Sequence, residues 1–254
     1  MARSSAGESS LKRAVRVLEA FDPGVRDLSV SEISRISGLP LSTAHKLVTE
    51  LSELGLLEKL PSRRYRVGLY LWELAVRTPG ALGVREIALP VLRTVLAELG
   101  NHVQLAVIQE GTALFIERLT SSIALRVRPA IGGRFPLSVT SSGLVLTAFG
   151  DEALKEEFLA EPQEAFLNAP AITREEKAAL VKQVRKDGFS VTVGNIEPTS
   201  MSIAVPVLAP NGVAIAALSN VAPSDNYDTR RILSVLNPAA SAIAEGLRRR
   251  YFGA

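Results

Sequence analysis

The stretch "SGLPLSTAHKLVTELSELGLL", Ser37–Leu57, decides how this chain begins to fold. Its second half has the pattern of an ordinary amphipathic helix. Its first half gathers Ser42, Thr43, His45 and Lys46 on the side away from the apolar stripe. A solvated helix face is normally filled with Glu and Lys, so short hydroxyls and an imidazole there ask for another explanation.

The neighbouring segments supply it. Upstream, "SLKRAVRVLEAFD" repeats Leu11, Ala14, Val15, Leu18 and Phe21 at helical spacing, with Ser10 as N-cap. "SVSEISRISG" follows, with Ser29 and Glu32 at capping-box spacing, an apolar stripe of Val30, Ile33 and Ile36, and Gly38 at the exit. The third helix starts near Pro40, buries Leu41, Ala44, Leu47, Val48, Leu51 and Leu54, and ends at Gly55. Only "SGLP" separates the second and third helices, and a tight Gly-containing turn between short helices is the helix-turn-helix signature. The second helix of that motif enters the major groove, and its N-terminal residues meet base edges. Ser42, Thr43, His45 and Lys46 occupy that position, where hydroxyls and imidazole reach bases or phosphates and lysine meets a phosphate or a guanine.

Next come two β-prone runs, "LLEKL" and "YRVGL", flanking "PSRR". They read as a wing with Arg63 and Arg64 at its tip, placed for flanking backbone or a narrow minor groove. Either "STAHK" or "SRR" alone is best read as solvated surface; in this order they make a winged helix-turn-helix. Charge agrees. Residues 1–80 hold 12 Lys+Arg against 9 Asp+Glu, and residues 81–254 hold 17 of each, so the whole excess of three lies in the first third.

The composition sets outer limits. A 47% hydrophobic content supports a sizeable core. With no cysteine, disulfides and thiolate metal sites are excluded, and a reducing cytoplasm is the expected setting. "MARSSAGESS" is polar and has no secretory h-region, so residues 1–9 read as a flexible tail. No run approaches a membrane-spanning length, so no membrane association is expected.

Beyond a helix "LYLWELAVR" carrying Trp72, "TPGALG" breaks the pattern and sets a domain boundary near residue 80. "VREIALPVLRTVLAELG" is a long helix in which Pro90 marks a kink or a boundary. "HVQLAVIQ", "ALFIERL" and "LRVRPA" read as strands, the first two joined at "EGT"; helices follow around 141–160 and 173–187. "FSVTV", "MSIAVPVL" and "VAIAALSN" are further strands, the last pair joined through "APNG" as a hairpin. Pro206 cannot donate to a ladder, so its strand is expected at an edge or bulged. A helix over about 228–251 ends in "RRRY", a basic end favourable to the helix dipole. Strands in hairpins mixed with helices give an α+β domain.

Catalytic chemistry is sparse. His45 belongs to the helix-turn-helix, and His102, at a strand start, reads as a structural histidine. No histidine pair has metal-ligand spacing, no nucleophile elbow or phosphate-binding loop is present, and "AIGGRFP" reads as a tight turn.

The ordered set "LKRAVRVLEAF", "LSVSEISRISGLPLSTAHKLVTELSELGLL" and "YRVGLYLWELA", then "PLSVTSSGLVLTAF", "VRKDGFSV" and "SIAVPVLAPNGVAIAALSNVAP", resembles the isocitrate-lyase-regulator (IclR) family of bacterial transcription factors over about residues 10–250. The resemblance implies a winged helix-turn-helix domain at 10–80 with a linker helix, and a GAF-like α+β effector-binding and oligomerisation domain at 81–254. It implies a cytoplasmic homodimer or homotetramer on a pseudo-palindromic double-stranded DNA operator, and no cofactor. The family's effector site, an organic acid or aromatic metabolite lying between loop-helix and paired strands, matches Val127, Phe135, Ser141, Ser142, Thr192, Ser202, Ser219 and Val221 here. The match has departures. Gly194 and Asn195 stand where many members carry an acidic pair, Ser202 where a cysteine is usual, Gly143-Leu144 for Gly-Lys, and Val221 at a commonly hydroxylic position. Such a pocket is hydroxyl-lined and apolar with little fixed charge, and suits either a small carboxylate held by helix N-terminal amides or a neutral or aromatic compound. Two rivals stay open: an architectural DNA binder whose second domain only oligomerises, and an enzyme acting on a small acid.

Overall fold

A chain of helix caps builds the first fold unit. The structure, a computed structural model, describes residues 8–21, 27–77, 81–121, 131–225 and 227–251, and divides into two compact units, 1–79 and 80–254. Helix α1 (Ser10–Glu19) is capped by Ser9, whose hydroxyl accepts from the Lys12 N–H at 3.2 Å, so Ser10 is the first helical residue and not the cap. Helix α2 (Val30–Ser37) opens with a full capping box: Ser29 N donates to Glu32 at 2.8 Å, and Glu32 N donates to the Ser29 hydroxyl at 3.3 Å. Gly38, at φ 66°, takes the left-handed conformation that turns the chain toward α3 (Leu41–Glu53).

Val17, Ile33, Leu39, Ala44, Val48 and Leu51 fill the core between these helices. The apolar stripes are shorter than the sequence pattern suggests. Leu11 and Val15 in α1, Ile36 in α2, and Leu41 and Leu54 at the two ends of α3 are exposed. Val17 occupies the buried line of α1, and Ser37 takes the buried place beside Ile36, with its hydroxyl bonded to the Ile33 carbonyl at 2.6 Å.

Strands β1 (Leu57–Lys59) and β2 (Tyr65–Val67) pair as the wing. Leu28 adds a third edge, exchanging backbone bonds with Tyr65 at 2.8 and 2.7 Å. Arg64 locks this arrangement. Its guanidinium bonds the Asp27 side chain, the Asp27 carbonyl at 3.0 Å, and Glu32 at 3.0 Å. Helix α4 (Leu69–Ala75) follows, with Trp72 exposed.

The second unit is a six-stranded antiparallel sheet between two helical layers. It begins with α5 (Ala81–Leu99), which continues through Pro90 as one helix. Strands β3 (His102–Gln109) and β4 (Thr112–Thr120) turn at Glu110-Gly111, both at positive φ, as a two-residue hairpin needs. "LRVRPA" lies outside the described residues apart from its neighbour Ile131, which begins the turn into β5 (Arg134–Pro136). The helix expected over 141–160 is two, α6 (Ser141–Ala148) and α7 (Glu152–Ala160), parted where Asp151 caps α7. Helix α8 (Arg174–Asp187) leads through Gly188 into β6 (Ser190–Val193), then β7 (Ser200–Leu208), β8 (Ala214–Pro223) and α9 (Thr229–Tyr251).

The strand order is β5-β4-β3-β8-β7-β6. Pro206 is therefore in an interior strand and not an edge. The ladder tolerates it because β6 pairs only Met201–Ala204, leaving Pro206 a neighbour on the β8 side alone, and a bulge follows at Val207/Leu208. Alternate strand residues face opposite layers. Val103, Leu105, Ile203, Val205 and Leu218 pack with Leu92, Leu236 and Ile243 of α5 and α9. Ala106, Phe115, Ala204 and Ala217 pack with Leu144, Val145 and Val184 of α6 and α8. All eight residues of α6 are buried, and Gly143 lets it lie against the preceding turn: a Cβ there would stand 2.2 Å from the Leu137 carbonyl oxygen.

Two outcomes check this description. Gly143→Ala should destabilise the second unit by roughly 1–3 kcal/mol, the usual range for forcing extra volume into a packed site, read as a lower urea midpoint by circular dichroism. In the wing, hydrogen bonds from the Ser29 backbone and hydroxyl, with Arg64 adding to them, hold the Glu32 carboxyl below its ordinary pKa. A depressed carboxyl stabilises the fold above its unfolded pKa and loses that contribution as pH falls through the folded value. Arg64→Met should therefore lower the thermal midpoint at neutral pH, followed by fluorescence of the single tryptophan, Trp72, and the difference from wild type should shrink as pH drops below the carboxylate range. A pH-independent difference would mean that Arg64 acts by packing alone.

Candidate DNA interface and effector cavity

In the first unit, α3 presents Ser42, His45 and Lys46 exposed and Thr43 half-buried, while Ala44, Leu47 and Val48 face inward. This segregation follows from sequence spacing alone, since Ala44 and Val48 are one turn apart. Lys46 is tied only loosely to Glu50, at 3.8 Å, so its ammonium is available to an anion. Arg13 of α1 joins this face. With Ser10, Ser42, Thr43 and Lys46 it lines a surface hollow of about 310 Å³, and its Nε has no hydrogen-bond partner among the described residues. Sequence reasoning missed Arg13 because it sits on another helix, one helical turn before the buried Val17.

The wing divides its two arginines. Arg63, at φ 57°, is exposed at the tip, whereas Arg64 is turned back into the Asp27 and Glu32 carboxylates. The sequence shows both charges, but the partner that claims Arg64 lies 37 residues away.

In the second unit, the sheet face beneath α6 changes character along the strands. Its inner part is apolar, through Phe115, Ala106 and Ala217. Next to it run two polar rows across the sheet. One is Arg118–Gln104–Ser219–Ala204–Ser190, and the other is Thr120–His102–Val221–Ser202–Thr192, each step a register pair. Burial disfavours the charged form of Arg118. His102 is buried, and its Nδ1 stands 3.3 Å from the Arg118 guanidinium and 3.1 Å from the Thr120 hydroxyl.

A cavity opens between these rows and the start of α6. Ser141, Ser142, Thr192, Ser202 and Val221 line it, together with Gln104, Phe115, Thr140, Asn195 and Ile196. None of the described residues that line it is ionisable. Ser141 and Ser202 close one side with a 2.6 Å hydrogen bond. Thr140 caps α6, its hydroxyl accepting from Gly143 N at 3.0 Å, so the N–H groups of Ser141 and Ser142 form the free first turn. The departures at Gly194 and Asn195 have a structural reason. Gly194 adopts φ 72° to turn out of β6, and Asn195 donates its amide to the Val139 carbonyl at 2.9 Å, tying that turn to the α6 entry.

Two of the sequence-matched positions stand off the wall. Phe135 lies behind Phe115, edge-on to it at 6.1 Å, and Ser219 is wholly buried beside Gln104. Val127 lies outside the described residues. Gln104 was legible as a polar residue in "HVQLAVIQ" that alternates with Val103 and Leu105, but the strand is covered on both faces, and a period of two does not say which face holds a ligand. A roomier hollow of about 410 Å³ lies between β5, α7 and α8. Its buried Lys177 is spent on the carbonyls of Phe158 and Glu161, at 2.8 and 2.6 Å, so among the described residues no cation is left there for a ligand.

Known proteins resemble both units. Residues 10–61 match the IclR helix-turn-helix domain, and residues 77–247 match the bacterial transcriptional regulator IclR C-terminal domain. The HTH-type transcriptional regulator XynR of Escherichia coli (strain K12) is 29% identical over 212 residues, 83% of this chain and 84% of its own. Among solved structures, an IclR homolog complexed with 4-hydroxybenzoate from Microbacterium hydrocarbonoxydans is 37% identical, with a TM-score of 0.85, covering 94% of this chain and 99% of that one. An IclR homolog from Microbacterium sp. strain HM58-2 is 36% identical, with a TM-score of 0.60, over 95% and 98%. The fold and the matches over most of its length agree: this chain belongs to the IclR family of bacterial transcriptional regulators, with an N-terminal helix-turn-helix domain and a C-terminal effector-binding domain.

Proposed function

We propose that the protein is a cytoplasmic, homo-oligomeric regulator whose α3 reads a pseudo-palindromic operator and whose second unit binds a small monocarboxylic acid, aromatic ones included, without catalysing its turnover. The observation that carries the ligand half is the cavity under α6. It combines hydroxyls, a free helix N-terminus and the ring of Phe115, with no ionisable side chain among the described residues of its lining. A helix N-terminus and hydroxyls suit one carboxylate, and an aromatic wall suits a ring. The similar IclR homolog from Microbacterium hydrocarbonoxydans, which is complexed with 4-hydroxybenzoate, supports the same class of ligand.

At the DNA, Thr43, His45 and Lys46 read bases or adjoining phosphates, and Ser42 and Arg13 hold the backbone at the same face. Arg63 carries the wing contact. Arg64 is assigned to holding the wing in place, because its guanidinium is engaged by Asp27 and Glu32. A dimer supplies two such faces, and the operator accordingly carries two half-sites one or more helical turns apart.

Replacing His45 by Ala should narrow the gap between operator and random DNA, since a good base contact discriminates by roughly 1–3 kcal/mol. Arg13→Ala and Arg63→Ala should weaken both DNAs alike and flatten the slope of log K against log salt by about 0.9 for each lost phosphate contact. Equal loss on both DNAs for His45→Ala would make that side chain a positioning contact. For the second unit, a thermal-shift screen of small acids should give a stabilising compound, worth about 2.7 kcal/mol at a hundredfold excess over Kd. The same compound must change operator affinity, because a ligand with equal affinity for both conformations shifts nothing. A stabilising ligand that leaves DNA binding unchanged would favour the architectural reading, and its conversion to product would favour the enzymatic one.

A further inference from the structure

The polar lining of the cavity is largely spoken for. Ser141 and Ser202 bond each other, Asn195 is tied to Val139, the Ser200 hydroxyl donates to the Glu197 carbonyl at 2.9 Å, and Thr140 caps its helix. Gln104 is different. It is 2% exposed, it lines the cavity, and its Nε2 is the fully buried polar atom of this lining that has no hydrogen-bond partner among the described residues. Ser219, its register partner on β8, likewise keeps a buried hydroxyl without a partner. Buried amides are satisfied in the great majority of native structures, and an exception points to a water or a ligand. Gln104 rises from the sheet, while the free N–H groups of Ser141 and Ser142 belong to the helix laid over it.

Resting on the effector reading above, we infer that Gln104 is the specificity-determining residue of the site and that it selects monocarboxylates bearing a second, uncharged oxygen. The carboxylate takes the α6 N-terminus, where the helix dipole and free N–H groups favour an anion. The second oxygen meets the Gln104 amide, which can donate from nitrogen or accept at oxygen and so matches a hydroxyl. Among the described residues the lining holds no cation to pair a second carboxylate, and a buried charge without a partner is strongly disfavoured. Phe115, Ile196 and Val221 supply apolar walls between the two polar ends.

The test uses the full-length protein and three probes of similar shape: 4-hydroxybenzoate, benzoate and terephthalate, with Kd measured by calorimetry. Wild type should bind 4-hydroxybenzoate about ten- to hundredfold more tightly than benzoate, the range expected for a hydrogen bond that also satisfies a buried group, and terephthalate more weakly than either. Gln104→Met, which keeps the volume and removes the amide, should bind benzoate as wild type does and lose the preference for the hydroxyl. Retained benzoate binding also reports that the variant is folded. Equal wild-type affinity for 4-hydroxybenzoate and benzoate, or an equal loss of both in Gln104→Met, overturns the assignment of Gln104 while leaving the effector reading standing. Binding of none of the three by wild type overturns both. If Gln104→Met does not fold, Gln104→Leu, also close in volume and without the amide, makes the same comparison.

Discussion

A helix buried on every side has no solvent to satisfy its polar groups, and α6 is such a helix. Its serines, Ser141 and Ser142, and Thr147 lie in the interior with Leu144, Val145 and Leu146. Thr147 returns its hydroxyl to the Gly143 carbonyl at 2.9 Å, but Ser141 has to look to the sheet, where Ser202 meets it. The close approach depends on Gly143, whose missing side chain admits the Leu137 carbonyl. Polar rows on the sheet are thus a consequence of burying a polar helix start, and the cavity is where the two surfaces fail to close completely. An all-apolar face would pack more tightly and would recognise nothing polar.

That same tightness sets the terms of ligand entry. The space enclosed is about 30 Å³, room for one or two waters and not for a ring with substituents. A benzoate-sized ligand must widen it, and Asn195, which ties the β6 exit turn to the α6 entry, is the contact that widening would strain. A continuous physical route leads from this face to the opposite layer. A bulge in β4 sends Arg118 toward the polar rows and its neighbour Glu117 toward α5, where Glu117 pairs with Arg85 at 2.7 Å and also accepts from the Arg118 N–H at 2.8 Å. Contact alone is not coupling; coupling requires that this route have two arrangements that ligand and DNA favour unequally.

How much of this the sequence disclosed depends on how local each feature is. Caps are local: Ser29 with Glu32, and Gly38 with its turn, were legible because their partners lie within four residues. The facing of α3 was legible for the same reason, although the stripe overran its ends at Leu41 and Leu54, where one side of the helix has nothing left to pack against. Arg64 lies in the wing turn as its place in the sequence says, but the turning back of its side chain was not legible, because its partners, Asp27 and Glu32, are not local. The cavity was the hardest to read. Its walls come from β3, β4, α6, β6, β7 and β8, and in strands covered on both faces a polar residue advertises burial without naming its neighbour. Resemblance supplied five of its lining positions. It also included Phe135 and Ser219, which lie just behind the wall, and omitted Gln104, which lies on it.

The two units put charge to opposite uses, and the contrast follows from what each must recognise. Duplex DNA is a dense line of phosphates that keeps its hydration until contact, so cations on an exposed face serve it well; Lys46 and Arg63 are of that kind, and the excess of basic residues lies wholly in their part of the chain. A small acid must instead leave water almost entirely. A lysine or arginine inside a cavity of this size would itself need permanent partners, and the buried Lys177 shows that need, wrapped in carbonyls and disfavoured in its charged form by burial. Backbone N–H groups at a helix start carry partial charge without that desolvation cost. An anion site built from α6 and hydroxyls can therefore be neutral when unliganded, and the discrimination left to side chains falls on groups such as Gln104 that read hydrogen bonds and not charge.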